Sequence, residues 1–148
     1  MRRRLLGAAL AIYTAFVLVV TLSPRMPGTS FAAEFVGSVL AWFHERGLLI
    51  GMEYDHVEFL ANVGMFVPLG VLVLLLKRRW WMLFAGTAFS AFIETYQALF
   101  LPGRYPELRD VLSNSLGFLA GSAVVYLSAR IRRRELLLRH PFEGGQGS

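Results

Sequence analysis

Four apolar runs, residues 5–22, 57–76, 80–101 and 111–129, alternate with short polar stretches along the chain. The first has eighteen residues without a charge. At ~1.5 Å per residue such a helix is about 27 Å long, close to the ~30 Å hydrocarbon core of a bilayer. The other three runs hold about 20 residues each and are long enough to cross. A cleaved secretory signal is the competing reading of the first run, because MRRR precedes it. No A-x-A cleavage site follows, and the best small-residue pair, Thr21 and Ser23, is followed immediately by Pro24, so the pattern predicts an uncleaved anchor.

The connection between the first two runs holds one further element. Thr29 or Ser30 can cap a helix over about residues 30–46, with Phe31, Phe35, Val39 and Trp42 or Phe43 on one stripe and Gly47 as its stop. Two readings stand: an amphipathic helix lying in the membrane interface, or a helix packed over the bundle. Residues 141–148 have the composition of a disordered tail, which leaves residues 1–140 as a single domain.

Polar residues break the apolar pattern at helical spacing. Glu58 and Asn62 share one face of the second run, and Asp110 and Asn114 share one face of the fourth. In the third run Gly86, Ser90, Glu94 and Gln97 form a single small and polar stripe. Gly117 and Gly121 continue the fourth run's stripe in a small-x-x-x-small pattern that lets a neighbouring helix approach closely. Three narrow polar stripes on three apolar helices are expected to face one another. The stretches EFLANVGMFVPLG (58–70) and DVLSNSLGFLAGS (110–122) also align at an offset of 52, matching an acid, a Leu, an Asn and a Phe. This predicts two helical hairpins related by an approximate two-fold axis along the membrane normal.

Depth sharpens the picture. Glu94 sits about 10 Å below the end of its run at ~1.5 Å per residue, and Asn62 and Asn114 about one turn into theirs. The opposite halves of the helices are almost purely apolar, which argues against a through-going pore and for a pocket at one end. A carboxylate inside a spanning helix costs on the order of 3 kcal/mol, so Glu94 is expected to be paired, hydrated or functional. The nearest cations by sequence are Arg104 and Arg109. They can close an internal ion pair or hold a phosphate or carboxylate of a ligand, with Glu94 and Gln97 completing the pocket.

Composition places the chain in a membrane: 55% of its 148 residues are hydrophobic, 17% are charged, and the mean hydropathy is +0.52. The net charge of +5 could suggest nucleic acid, but its distribution removes that reading. Eleven of the fifteen Lys and Arg fall at residues 2–4, 77–79 and beyond 129, on one side of the four runs, while eight of the ten acids fall on the other. By the positive-inside rule both termini are cytoplasmic, and the polar stripes lie in the outer leaflet. There is no cysteine, no HExxH or paired-histidine spacing, no Gly-x-Ser-x-Gly and no P-loop, so no metal and no cofactor is expected. His56, beside Asp55 and Glu58, is the one weighed metal candidate. Asp55 with Glu58 can equally be read as a capping pair at a helix N-terminus.

NVGMFVPLGVLV (62–73), followed by ETYQALFLPGRYPELRDVLSNSLGFLAG (94–121), resembles the VanZ family of small integral membrane proteins. The family pattern falls on Asn62, Phe66, Pro68, Gly70, Glu94, Gln97, Arg104, Asp110, Asn114, Gly117 and Gly121, and TLSP (21–24) fits its first helix end. The resemblance implies a bacterial multi-pass plasma-membrane protein. The family's namesake is linked to low-level resistance to teicoplanin, a lipid-bearing glycopeptide antibiotic, by a mechanism not established as enzymatic.

The expected fold is all-α: an integral membrane four-helix bundle with an interfacial helix. Glu58, Asn62, Glu94, Gln97, Arg104, Arg109, Asp110 and Asn114 are the expected ligand-binding residues. Pro68, Gly70, Gly86, Ser90, Gly117 and Gly121 are the expected helix-packing residues. The expected partners are the bilayer and a lipid-linked cell-wall precursor or lipoglycopeptide. Two alternatives stay open: an intramembrane enzyme acting on lipid-linked phosphate headgroups with Glu94 or Asp110 as base, and a structural membrane module without ligand.

Overall fold

Apolar side chains drive these runs into helices because a chain in lipid has to satisfy its backbone N–H and C=O groups within itself. The computed structural model describes residues 1–22, 31–49, 51–77, 79–101 and 107–139, with 31–36, 80 and 137–139 described by their backbone alone. The described residues form α1 (Arg2–Leu22), α2 (Phe31–Glu45), α3 (Tyr54–Leu76), a short 3-10 turn (Trp80–Met82), α4 (Leu83–Phe100) and α5 (Leu108–Arg139). Thr29, Ser30 and the tail 141–148 lie outside the described residues, as do the side chains of Phe31 and Phe35.

Among the described residues three helices, α1, α3 and α5, are long and apolar enough to cross a membrane. The sequence pattern predicts four. The difference is α4, whose 18 residues are about 27 Å long but carry Gly86, Ser90, Glu94 and Gln97 on one side. These lower its apolarity below that of a plain span. The last helix differs in the other direction: α5 has 32 residues where the pattern predicts 111–129, so at about 48 Å it overshoots a ~30 Å core. The excess carries Arg130, Arg132, Arg133 and Arg134, all exposed.

The most extensive packing joins α3 to α5, then α4 to α5 and α1 to α3. The two glycines of α5 explain the first of these. A Cβ on Gly117 would collide with the Val63 carbonyl and one on Gly121 with the Val67 carbonyl, so the helices meet backbone to backbone. Gly70 returns the relationship from α3, seated on the Phe118 carbonyl, and Gly86 of α4 leaves room for the Phe118 ring. Gly70 and Ser122, equivalent under the 52-residue offset, touch directly: the Ser122 hydroxyl donates to the Gly70 carbonyl at 3.5 Å. Val17, Phe66, Leu69, Ile93 and Phe118, from four helices, form the buried apolar centre.

Pro68 lies inside α3 and has no N–H to donate to the preceding turn. In that turn the Tyr13 hydroxyl of α1 donates to the Met65 carbonyl at 3.0 Å, which pins α1 to α3. α2 rests lightly on α3 and ends as the sequence predicts, with Gly47 at φ +70 and its N–H on the His44 carbonyl at 2.9 Å. Among its described side chains Leu40 is buried, while Val39 and Trp42 of the predicted stripe are exposed.

Around this centre the surface is apolar. Leu5, Ile12, Phe16, Phe84, Phe92, Leu99, Leu116, Val124 and Leu127 are each more than half exposed. A water-facing protein of this size rarely shows so continuous an apolar girdle, whereas lipid accommodates it.

Candidate functional site

The polar side chains gather at one end of the molecule, where α1 and α4 finish and α3 and α5 begin. Helix ends leave N–H groups at one terminus and C=O groups at the other without intrahelical partners. Two residues of α4, three positions apart on one face, meet one of each kind. Glu94 Oε2 accepts from the backbone N–H of Glu107 at 3.2 Å. Glu107 is the cap of α5, since its carbonyl accepts from Asp110 and Val111. Gln97 Nε2 donates to the Thr21 carbonyl at 2.7 Å, in the last turn of α1. An acceptor thus faces a helix N-terminus and a donor faces a C-terminus, as the macrodipoles demand.

The two asparagines cross between helices. Asn62 Nδ2 donates to Asp110 Oδ1 at 3.1 Å, joining α3 to α5. Asn114 Nδ2 donates to Ser90 Oγ at 2.9 Å, joining α5 to α4. Asn114 is 3% exposed, and its Oδ1 is buried without a donor. Such an orphan acceptor is worth roughly 1–3 kcal/mol of lost stability.

These groups surround open space. A cavity of about 190 Å³ is lined by Val20 and Thr21 of α1, by Tyr54, Val57, Glu58, Ala61, Asn62 and Met65 of α3, by Ile93, Glu94 and Gln97 of α4, and by Asp110 and Asn114 of α5. Glu58, Asn62, Glu94, Gln97, Asp110 and Asn114 are therefore brought together. Arg104 lies outside the described residues. Arg109 stands elsewhere: its Nη1 is 3.3 Å from Asp55 Oδ2, its Nη2 donates to the Asp55 carbonyl at 2.5 Å, and its guanidinium lies 5.7 Å from the Phe59 ring. It borders a separate cavity of about 420 Å³ with Leu49, Met52 and His56.

The start of α3 also differs from the expected Asp55 and Glu58 capping pair. Glu53 is the N-cap, and its N–H donates to His56 Nδ1 at 3.1 Å, so His56 takes the reciprocal place of a capping box. Asp55 turns to Arg109 and Glu58 to the cavity. Among the described residues no group of three or more His, Asp or Glu side chains is arranged to hold a metal ion.

Sequence reasoning missed Val20, Thr21, Tyr54, Val57, Ala61, Met65 and Ile93 as cavity residues. The four on α3 fall on the helical stripe through Glu58 and Asn62, and extending that stripe in both directions finds them. Thr21 takes part through its backbone carbonyl, which no side-chain pattern reveals.

A family model described as VanZ/LLP1 matches residues 9–130 of the chain. No curated protein and no solved structure matches it.

Proposed function

The chain belongs to the VanZ/LLP1 family, and from that premise we propose that it is a four-span membrane protein whose polar cavity binds the head of an amphipathic cell-envelope molecule. The observation that supports this reading is the meeting of Glu58, Asn62, Glu94, Gln97, Asp110 and Asn114 around one cavity, among helices whose outer faces are largely apolar. A chain that needed these residues only as stitches between helices would close the space between them.

In this reading α4 is the fourth span, shielded from lipid along its polar stripe by α5. The excess of Lys and Arg at residues 2–4, 77–79 and beyond 129 supports an orientation with both termini in the cytoplasm of a bacterial cell and the cavity in the outer leaflet of its plasma membrane. A lipid-linked cell-wall precursor or a lipoglycopeptide of the teicoplanin type meets the protein there. The consequence would be altered susceptibility to glycopeptide antibiotics.

Susceptibility of cells expressing the wild type, Glu94→Gln, Asn114→Leu or Arg104→Ala tests the reading. The wild type is expected to raise teicoplanin tolerance and the variants to lose the gain at equal membrane abundance. Equal susceptibility in all four and in cells lacking the protein would remove the resistance role.

A further inference from the structure

We propose that the cavity's occupant is a membrane lipid with a small hydrogen-bond-donating head, and that this head enters sideways from the bilayer through a mouth between α1 and α3. The inference rests on the reading of the cavity as a binding site and adds its route and the chemistry of its ligand.

Exposure along the cavity wall locates the mouth. Ile93, Glu94, Gln97 and Asn114, from α4 and α5, are buried and form the back. The exposed lining residues are Val20 of α1, 42% exposed, with Tyr54, 39% exposed, and Ala61 of α3. The rim is thus apolar and aromatic, and it continues along α1 into the exposed side chains Phe16 and Val19. An opening meant for water-borne solutes would be expected to carry polar groups at its lip. An apolar lip set in a lipid-facing surface suits a ligand that never leaves the bilayer. Below the mouth the Tyr13 to Met65 hydrogen bond holds α1 against α3, so the gap is confined to the end where the polar groups lie.

The back of the cavity specifies the head. The lining holds three carboxylates, of Glu58, Glu94 and Asp110, while the amides of Asn62, Gln97 and Asn114 each commit an N–H to Asp110, Thr21 and Ser90 in turn. A lining so rich in acceptors, with its amide donors engaged between helices, calls for an N–H or O–H from the occupant. Volume sets the size. About 190 Å³ is room for a small polar head such as an amino alcohol or a small polyol. The chains of the lipid would remain outside, along Val20 and Ala61.

Lipid retention read by native mass spectrometry tests the proposal, with protein reconstituted in equal mixtures of phosphatidylethanolamine and phosphatidylcholine. The two heads differ in that only the first carries N–H donors. The wild type is expected to retain one phosphatidylethanolamine at least fivefold over phosphatidylcholine. Ala61→Trp, which fills the mouth, should lower that retention at least fivefold, and Val20→Trp repeats the test from the α1 side if the first variant does not fold. Leu60→Trp, on the neighbouring lipid-facing position, should retain lipid as the wild type does. Equal retention of the two lipids would overturn the head assignment, and undiminished retention in both rim variants would overturn the route. A wild type that retains neither lipid overturns this proposal outright, while the susceptibility assay continues to judge the wider binding reading by itself.

Discussion

Glu94 and Glu107 are joined by a hydrogen bond from the Glu107 backbone N–H to Glu94 Oε2 at 3.2 Å, which sets a carboxylate of α4 on the N-terminus of α5. The carboxylate accepts a hydrogen bond from an N–H that has no partner within the helix, and its negative charge complements the positive end of the α5 macrodipole. Glu94 is 6% exposed, so water screens this arrangement little. Glu94→Gln keeps an acceptor oxygen but removes the charge, and should lower stability by about 1–2 kcal/mol. Glu94→Leu removes the acceptor as well and should lower it by more. Thermal unfolding in detergent measures both. If Glu94→Gln unfolds earlier while antibiotic susceptibility is unchanged, Glu94 is a stitch between helices and not a ligand contact.

Gln97 supplies the complementary case. Its amide donates to the Thr21 carbonyl at 2.7 Å, at the negative end of α1. Gln97→Glu is nearly isosteric but presents an acceptor to an acceptor and a negative charge to a helix C-terminus. It should therefore destabilise more than Gln97→Leu, which is expected to lose about 1–3 kcal/mol by leaving the carbonyl unpaired. Melting of the two variants side by side decides the order. Gln97→Leu as the weaker variant would show that the contact is not made by the amide donor.

Backbone contact between α3 and α5 depends on glycine at particular positions. Gly117→Ala and Gly121→Ala each drive a methyl into a backbone carbonyl, of Val63 and Val67, and a carbonyl cannot rotate aside as a side chain can. Each should lower stability by at least about 1–3 kcal/mol, the range for overpacked cores. Gly64→Ala is the matched control, because nothing lies within 4 Å of the Cβ it would add. It should be neutral or gain up to about 1 kcal/mol from helix propensity. Equal losses at Gly64 and Gly117 would place the interface elsewhere.

Much of this architecture was legible because lipid makes polar residues conspicuous. The four-residue spacing of Glu58 with Asn62 and of Asp110 with Asn114 announces one face on each helix, and the geometry puts all four on one cavity. The small residues at 117 and 121 likewise announce close approach. What could not be read were relationships carried by the backbone or by competition among partners. The Thr21 carbonyl has no side-chain signature. Asp55 could have capped α3, but the cap is Glu53 with His56, and Asp55 is drawn to Arg109 instead. Helix length also escaped: arginines 130–134 mark the end of an apolar run, yet arginine is a good helix former, so α5 continues through them to Arg139.

Arg109 is where sequence proximity and geometry part most clearly. By distance along the chain it is a natural partner for Glu94 or for a ligand's phosphate, but although it directly precedes Asp110, the partner of Asn62, it faces Asp55. Helical geometry explains this, since neighbours at 109 and 110 point about 100° apart. The Arg109 and Asp55 side chains are 40% and 65% exposed, so their ion pair is screened and worth no more than about 1 kcal/mol. Arg109→Gln should accordingly shift thermal stability by less than that, leave lipid retention at its wild-type level and change susceptibility little, in contrast to Asn114→Leu. A loss of retention as large as that of a cavity variant would return Arg109 to the site and contradict its place beside Asp55, outside the cavity lining.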